Sequence, residues 1–268
     1  MRSNRLQFLA GLALIGWLIL PLIPLAVWSF AHGWRFPDLL PRDLGLRAWR
    51  YTLSDTAGVT ASLALTTAIA LATTALAALI GIPAGRALGL HQFPGKAGVE
   101  LFLLAPALVP GIAVVFGLHG IFLTLGLAGT VQGVVLAHLI PTLPYMILVM
   151  AGVFANFDPS FEDQARSLGA TRAQVFRHVT LPAVLPGILT GALFAFLVSW
   201  SQYLPTLVIG GGRVQTLPLL LFTFATSGRN DVAGAIALIY ILPGLLFITL
   251  TARHITGRGP ALAGTLRP

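Results

Sequence analysis

The sequence predicts an all-α protein that crosses a membrane about six times. Of its 268 residues, 56% are hydrophobic and 9% are charged, and the mean hydropathy is +0.89. A soluble domain carries about a quarter charged residues, so this composition excludes one. Of the 16 Lys and Arg and 8 Asp and Glu residues, six lie within residues 157–182, between two long apolar runs. That segment is too charged for hydrocarbon and must lie in water at one membrane face.

Six apolar runs are each long enough to cross a bilayer as a helix. In chain order they are residues 6–30, 58–82, 99–125, 131–154, 183–209 and 231–252. The first run is longer than the apolar part of a signal peptide, which has about 7 to 15 residues, so we interpret it as an uncleaved helix. Four prolines, at positions 106, 110, 141 and 144, predict kinks in the third and fourth spans.

The segments between the spans also have distinct patterns. Residues 32–55 form a polar loop whose Trp and Tyr residues suit the headgroup layer. Gly81 and Gly85 have the spacing at which small residues let two membrane helices approach. The fifth span is interrupted near its end by residues 199–203, and the loop after it holds a short apolar piece at 217–224.

Residues 86–96 form a short basic turn with some features of a phosphate-binding loop. The distance from Gly89 to Gly95 is one residue too long for that loop, and Ala97 stands where Ser or Thr must reach magnesium. We therefore expect this chain to bind no ATP and no other cofactor itself. It has no Cys, which excludes disulfides and thiolate metal sites, and we predict no metal site.

The basic residues favour an orientation with both termini in the cytoplasm. Ten Lys and Arg residues then lie inside and six outside, in moderate agreement with the positive-inside rule. The first external loop, with four Arg residues, is the discordant part. Because the basic residues are scattered among short loops, the net charge of +8 indicates contact with lipid headgroups and not nucleic-acid binding.

The charged segment has the pattern of two short helices joined by a glycine. Asp158 can cap the first helix, with Pro159 at its first position, where a missing N–H group costs nothing. Phe161, Ala165 and Leu168 fall on one stripe of this helix. The segment is therefore expected to be amphipathic and to lie at the membrane surface.

Gly169 can take a positive φ and end the first helix. Thr171 and Gln174 have the spacing of a capping box, which starts the second helix. Val175 and Val179 are the apolar positions of that helix. Pro182 is expected to close the hairpin before the next apolar run.

This hairpin resembles the EAA loop of ABC importer permeases, in which Glu-Ala-Ala is followed by three residues, Gly, nine residues and Ile-x-Leu-Pro. The pattern falls, with every spacing kept, on Asp163, Gln164, Ala165, Gly169, Val179, Leu181 and Pro182. Asp and Gln replace the first Glu and Ala, while Glu162 keeps the acidic character. A random surface hairpin would supply the caps and the glycine, but not the full spacing followed by Leu-Pro.

The resemblance implies the type I ABC permease fold, as a single domain of residues 1–268 with its core at 58–254 and the coupling hairpin at 157–182. It implies that a separate ATPase subunit, which holds ATP and Mg, docks on the hairpin. The implied docking residues are Glu162, Asp163, Gln164, Ala165, Arg166, Gly169, Ala170 and Thr171. A second permease subunit, identical or related, and an extracytoplasmic substrate-binding protein would complete the importer in a bacterial inner membrane.

Polar residues within the spans are candidates for lining a translocation pathway. They lie at similar depth in the outer leaflet: His119, His138, Ser199, Ser201, Gln202 and Tyr203. Hydrogen bonding between packed helices explains each of them equally well. Residues 199–218 resemble the branch that includes polyamine, ferric iron, thiamine, sulfate and molybdate permeases, many of which carry Asp or Glu where Gln202 stands.

Enzymatic functions lack their required residues. The sequence has no His-Glu-x-x-His zinc helix, no Gly-x-Ser-x-Gly nucleophile turn and no pair of Asp residues within a span. A secondary transporter without an ATPase partner is the alternative, since six spans and His residues within them would suit it. The absence of acidic residues for ion coupling inside the spans disfavours that alternative.

Overall fold

A computed structural model describes residues 10–14, 16–17, 19–34, 37–38 and 40–255, without the side chains of residues 107 and 251–255. Over these residues the regular structure is helical, apart from one antiparallel pairing of Ala31–His32 (β1) with Asp43–Leu44 (β2). The predicted all-α class is confirmed. The start of the first apolar run and the tail after Ile255 lie outside the described residues.

The helices are numbered here from the first whose bounds are both described. They are α1 Leu22–Phe30, α2 Arg47–Thr52, α3 Val59–Leu90, α4 Lys96–Leu108, α5 Gly111–Thr124, α6 Val131–Ala155, α7 Ser160–Ser167, α8 Arg172–Val175, α9 Leu181–Trp200, α10 Leu204–Gly210, α11 Leu217–Thr226 and α12 Asn230–Ile255. A 3-10 turn, Asp55–Ala57, precedes α3. A π-helical segment, Phe176–Thr180, joins α8 to α9 in one helix that runs from Arg172 to Trp200.

Within the described residues, four helices are long and apolar enough to cross a membrane: α3, α6, the helix Arg172–Trp200, and α12. Helices α4 and α5 make a fifth span if they are counted as one, although they are bent by 95°. The break between them falls at Pro110, one of the four prolines predicted to interrupt a span. The predicted interruption of the fifth span is also present, between α9 and α10.

The second span is longer than predicted. We expected it to end at Ile82 and a basic turn to begin at Arg86, but α3 continues to Leu90 and includes Pro83 within it. Packing explains the extension, because Gly85 and Gly89 press this end of α3 against α6. The stretch predicted as a turn is therefore helical for its first five residues.

The prediction that Pro182 closes the hairpin is wrong. Pro182 is the second residue of α9, and the chain stays helical from Arg172 through it. Proline lacks an N–H donor but is tolerated in the first turn of a helix. The π-helical segment directly before α9 has a different hydrogen-bond spacing, so the α-helical hydrogen-bond pattern starts again at Leu181 although the chain stays helical.

The chain divides into two compact units, and the described residues up to Leu65 form the first together with Gln215–Pro243. In it, the rings of Trp28 and Trp34 stack with their centres 4.4 Å apart. The guanidinium carbon of Arg229 lies 4.3 Å from the centre of the Tyr51 ring. A side chain at Gly234 would place its Cβ 2.8 Å from the Leu25 carbonyl oxygen, so this glycine permits close contact between α12 and α1.

The described residues of 66–214 and 244–255 form the second unit, which packs around α6. Gly81, Gly85 and Gly89 of α3 face one side of α6, where an added Cβ at Gly85 would lie 2.9 Å from the Ala151 backbone nitrogen. Gly187 and Gly191 of α9 face Val153 and Met146 of α6. The close approach predicted from the small-residue spacing is confirmed for Gly81 and Gly85.

Candidate functional site

The first helix of the hairpin ends as the sequence indicated, but its N-cap residue is Pro159 and not Asp158. The Asp158 carboxylate accepts a hydrogen bond of 2.9 Å from the Ser160 N–H, which lowers the pKa of Asp158, and α7 begins at Ser160, one residue later than predicted. Gly169 has φ +88°. Its N–H donates to the Arg166 carbonyl oxygen, and the Ala170 N–H donates to the Ala165 carbonyl oxygen. This is a Schellman C-cap, and the predicted role of glycine there is confirmed.

The second helix of the hairpin starts with the predicted capping box. The Thr171 N–H donates to Gln174 Oε1 at 2.8 Å, and the Gln174 N–H donates to Thr171 Oγ1 at 3.4 Å. Val175 is buried, as its apolar position requires. Because α8 continues through the π-helical segment into α9, this half of the hairpin is part of a membrane-spanning helix.

Glu162 is the most buried charged residue of the hairpin, with 3% of its surface exposed. Arg86 of α3 binds it through two hydrogen bonds, from Nη1 to Oε1 at 2.8 Å and from Nη2 to Oε2 at 2.7 Å. Arg166 Nη2 donates to Oε2 at 2.9 Å, and Thr180 Oγ1 donates to Oε1 at 2.6 Å. The carboxylate therefore accepts four hydrogen bonds from α3, from its own helix and from the π-helical segment.

These contacts hold Glu162 in its charged form. The hydrogen bonds from Arg86, together with those from Thr180 and the positive charges of both arginines, lower the pKa of Glu162 from its ordinary value of 4.5 to about 2, although burial opposes the shift. A buried carboxylate is tolerated only when such partners replace water. The charged carboxylate of Glu162 therefore lies inside the protein and not on the outer surface of the hairpin.

The apolar stripe of α7 faces outward instead. Phe161 is 56% exposed and Leu168 is 89% exposed, while Ala165 is half-buried. A side chain at Gly169 would meet no atom of the chain within 4 Å. The hairpin therefore presents an apolar, glycine-containing surface to its surroundings.

The remaining predicted docking residues lie beside this surface. Asp163 is exposed and pairs with Arg166, whose Nη1 lies 2.5 Å from Asp163 Oδ1. Gln164 and Thr171 are exposed, and Ala170 is half-buried. All eight predicted residues are thus on the hairpin, but Glu162 differs from the others because it points into the chain.

Two of the predicted pathway residues are buried together between helices. His138 of α6 contacts Ser199 Oγ through Nδ1 at 3.0 Å and Thr206 Oγ1 through Nε2 at 2.9 Å. His138, Ser199 and Thr206 are each at most 2% exposed. Thr142 donates to the His138 carbonyl oxygen one turn further along α6. This cluster joins α6, α9 and α10 by hydrogen bonds between neutral groups.

Ser201 and Gln202 lie at the break between α9 and α10 and line a cavity of about 370 Å³. Each donates a hydrogen bond to the Val198 carbonyl oxygen, at 3.0 Å from Ser201 Oγ and 3.2 Å from Gln202 Nε2. Tyr145 lines the same cavity and is 46% exposed. Backbone that is not helical occurs at membrane depth only where protein covers it or a cavity adjoins it.

The other two predicted pathway residues lie elsewhere. Tyr203 is half-buried and stands at the start of α10. His119 is half-buried on α5, and its Nδ1 is buried without a hydrogen-bond partner among the described residues. Neither lines the cavity that adjoins Ser201 and Gln202.

Sequence reasoning missed four residues of these sites: Arg86, Thr180, Thr206 and Tyr145. Arg86 did carry a signal, since it is the only charged residue of α3. A charge at the end of a long apolar helix needs a partner, and Glu162 was an available acid in the charged segment. The two threonines and the tyrosine are ordinary residues in apolar runs, so only the packing identifies them.

Comparison with known proteins gives the family. Residues 79–258 match the family described as binding-protein-dependent transport system inner membrane component. The molybdenum transport system permease protein ModB of Mycobacterium tuberculosis is 30% identical over 213 residues, which are 73% of this chain and 80% of that protein. The trehalose transport system permease protein SugB of the same species is 29% identical over 192 residues, 70% of each chain.

Solved structures agree on the fold. A bacterial ABC transporter that imports the acidic polysaccharide alginate has a chain of TM-score 0.70 and 21% identity, with 94% of this chain and 97% of that one covered. A crystal structure of an alginate ABC transporter with a pentasaccharide-bound periplasmic protein gives TM-score 0.59 at 16% identity, with 96% and 97% covered. The predicted resemblance is confirmed. The chain belongs to the family of binding-protein-dependent transport system inner membrane components and is a permease subunit of an ABC importer.

Proposed function

We propose that the hairpin of residues 157–182 docks on a separate ATPase subunit, which binds ATP and Mg and drives transport. The observation that carries this proposal is the inverted polarity of α7. Its acid Glu162 is buried against arginine, while Phe161 and Leu168 face outward. Exposed apolar residues on an otherwise charged segment favour a protein partner. The positive φ of Gly169, with free space around its Cα, allows that partner to approach the backbone.

The rest of the proposal concerns the assembly around this chain. We place both termini and the hairpin in the cytoplasm, which gives the excess of Lys and Arg on that side. A second permease subunit, identical or related, would supply the other half of the pathway, and an extracytoplasmic binding protein would deliver substrate. The alginate transporter solved with its periplasmic protein supports this arrangement by analogy.

We assign the pathway wall of this chain to the cavity beside the α9–α10 break. Ser201 and Gln202 offer hydrogen bonds there, and Tyr145 offers an aromatic face and a hydroxyl group. Broken helices line substrate sites in other transporters. His138 and Ser199 are better explained as packing groups, because they satisfy each other within the chain.

The test is copurification with the ATPase subunit from cells that express an affinity-tagged chain. We expect the wild-type chain to retain the ATPase and Leu168→Asp to lose most of it. Leu168 is 89% exposed, and the substitution would place a carboxylate where the proposed interface needs an apolar side chain. Leu53→Asp is the matched control, since Leu53 is 60% exposed in the loop before α3 and should have no effect. A wild-type chain that retains no ATPase would instead support a secondary transporter.

A further inference from the structure

Arg86 stands where three parts of the second unit meet. Its guanidinium group binds both oxygens of Glu162 on the hairpin. Its guanidinium carbon also lies 5.4 Å from the centre of the Phe154 ring on α6. Glu162 in turn accepts a hydrogen bond from Thr180, the last residue of the π-helical segment that leads into α9. Arg86, a residue of the second span, therefore contacts both the hairpin and the fourth span.

The end of α3 that carries Arg86 is held against α6 without room for sliding. A Cβ at Gly85 would lie 2.9 Å from the Ile147 carbonyl oxygen, and one at Gly89 would lie 2.6 Å from the Ala151 carbonyl oxygen. Backbone contacts this close leave little space between the two helices. Movement of this end of α3 therefore requires movement of α6.

The hairpin meets α3 through this ion pair and through apolar packing, because Phe157 and Leu90 both pack on the cluster around Phe154. A pair of exposed charges would not transmit movement, because water replaces either partner at little cost. Glu162 is different, since it is buried and has all its acceptor sites occupied. Separating it from Arg86 would remove two of its four hydrogen bonds and leave Arg166 and Thr180 as the partners of a buried carboxylate, which is unfavourable.

We propose that Arg86 is a positioning residue that makes the hairpin and α3 move as one body with α6 during the transport cycle. The hairpin is already continuous with the fifth span through the helix Arg172–Trp200. The hairpin also follows directly after α6, and Phe157 contacts Phe154 at the end of that helix. Arg86 adds the second span, so a displacement at the ATPase side reaches three spans together. This inference rests on the proposed docking of the ATPase on the hairpin.

The experiment measures the distance between α3 and the hairpin by electron paramagnetic resonance. The chain has no Cys, so His91→Cys, directly after α3, and Ser167→Cys, at the end of α7, are the only sites for spin labels. Both positions are exposed. The labelled permease is copurified with its ATPase and measured without nucleotide and with a non-hydrolysable ATP analogue. The test variant is Arg86→Gln with Glu162→Gln, which leaves no unpaired charge and so should fold.

In the parent chain we expect one narrow distance that nucleotide does not change. In the double variant we expect the distribution to widen at least twofold, and its mean to shift when nucleotide binds. Lys96→Gln, which removes a charge at the start of α4, should behave like the parent. Arg86→Lys, which keeps the charge but not the paired geometry, should give an intermediate width.

Two results would overturn the inference. One is a parent distance that shifts with nucleotide, which would mean that α3 and the hairpin already move separately. The other is a double variant whose distance distribution is as narrow as the parent's and also does not change when nucleotide binds. Failure of the proposed function appears differently, as a parent chain that retains no ATPase. The nucleotide-free widths of the parent and the double variant then still decide whether Arg86 holds the hairpin to α3.

Discussion

Two groups of polar side chains are buried between helices, and they differ in charge. The Glu162 cluster contains Arg86, Glu162, Arg166 and Thr180, and the His138 cluster contains His138, Ser199 and Thr206. Each joins three helical elements through buried polar side chains with satisfied hydrogen bonds. The Glu162 cluster is ionic and sits at one end of the spans, in the charged hairpin. The His138 cluster contains only a histidine and two hydroxyl groups, and it lies among residues of three apolar helices.

Access to water explains the difference. The side chains of Arg86 and Arg166 remain 36% and 48% exposed, so each keeps part of its hydration while it pairs with the buried carboxylate. Ser199 and Thr206 are at most 2% exposed, so they have almost no contact with water. A charge held at that position in a membrane would cost several kcal/mol, whereas a neutral network costs far less. The ionic cluster is therefore suited to the end of the spans, where its arginines reach water, and the cluster without ionic groups to the buried interior.

The largest effect that separates the clusters should come from Arg86→Ala. It removes two of the four hydrogen bonds to the buried Glu162 carboxylate, which keeps Arg166 and Thr180, and we expect a loss of about 3 kcal/mol in the free energy of unfolding. Thermal unfolding of the purified chain in detergent measures it. Lys96→Ala removes a cation that, among the described residues, bonds to a backbone carbonyl alone, at 3.4 Å, and it should change the free energy by less than about 0.5 kcal/mol. Equal effects of the two would contradict the ionic cluster.

The next effect is a pH dependence that only the ionic cluster should show. The pKa of Glu162 is about 2 in the folded chain and 4.5 ordinarily. Its contribution to stability is therefore complete above about pH 4.5 and is lost by about 1.4 kcal/mol per pH unit as the pH falls from there toward 2. The difference in unfolding free energy between the wild type and Glu162→Gln should shrink over this range. If this difference in unfolding free energy stays constant down to pH 3, the lowered pKa of Glu162 is refuted.

In the neutral cluster, His138→Ala should cost about 2 kcal/mol, since it removes two hydrogen bonds and leaves Ser199 Oγ without the partner it has in the wild type. Thr206 loses less, because it also donates to the Gln202 carbonyl oxygen. Unfolding in detergent again supplies the measurement. His119→Ala is the matched control and should cost under about 1 kcal/mol, because its buried Nδ1 has no partner to lose among the described residues.

The smallest effect concerns the hairpin alone. Thr171→Ala removes half of the capping box, and we expect about 1 kcal/mol of local destabilisation. Hydrogen exchange of the amides of residues 172–175 should quicken about fivefold, because opening of this turn becomes easier by that amount. Thr171→Ser keeps the hydroxyl group and should exchange at the wild-type rate. A change equal in both variants would mean that the cap does not control this turn.

Local patterns predicted the hairpin in detail. The Thr171 capping box and the left-handed Gly169 follow from interactions within three or four residues, and both are present. The end of α3 and the role of Pro182 were predicted wrongly. Both depend on contacts with distant helices, or on a change of hydrogen-bond register that no residue type marks.

The candidate sites divide in the same way. The sequence indicated Glu162 as a docking residue and His138 as a pathway candidate. It did not identify their partners, Arg86, 76 residues before Glu162, and Thr206, 68 residues after His138. It also placed Phe161 and Leu168 on one stripe without indicating which way the stripe faces. Their exposure depends on what surrounds the helix.

The sequence by itself therefore determined the class of protein, the hairpin with its caps and the family, because composition, helix capping and motif spacing are properties of neighbouring residues. The tertiary structure alone decided which charge is buried, which apolar face is free and which spans Arg86 connects. Those outcomes are set by pairing between residues far apart in the chain. The free energy of a buried carboxylate or an exposed leucine depends on the partner that the fold supplies.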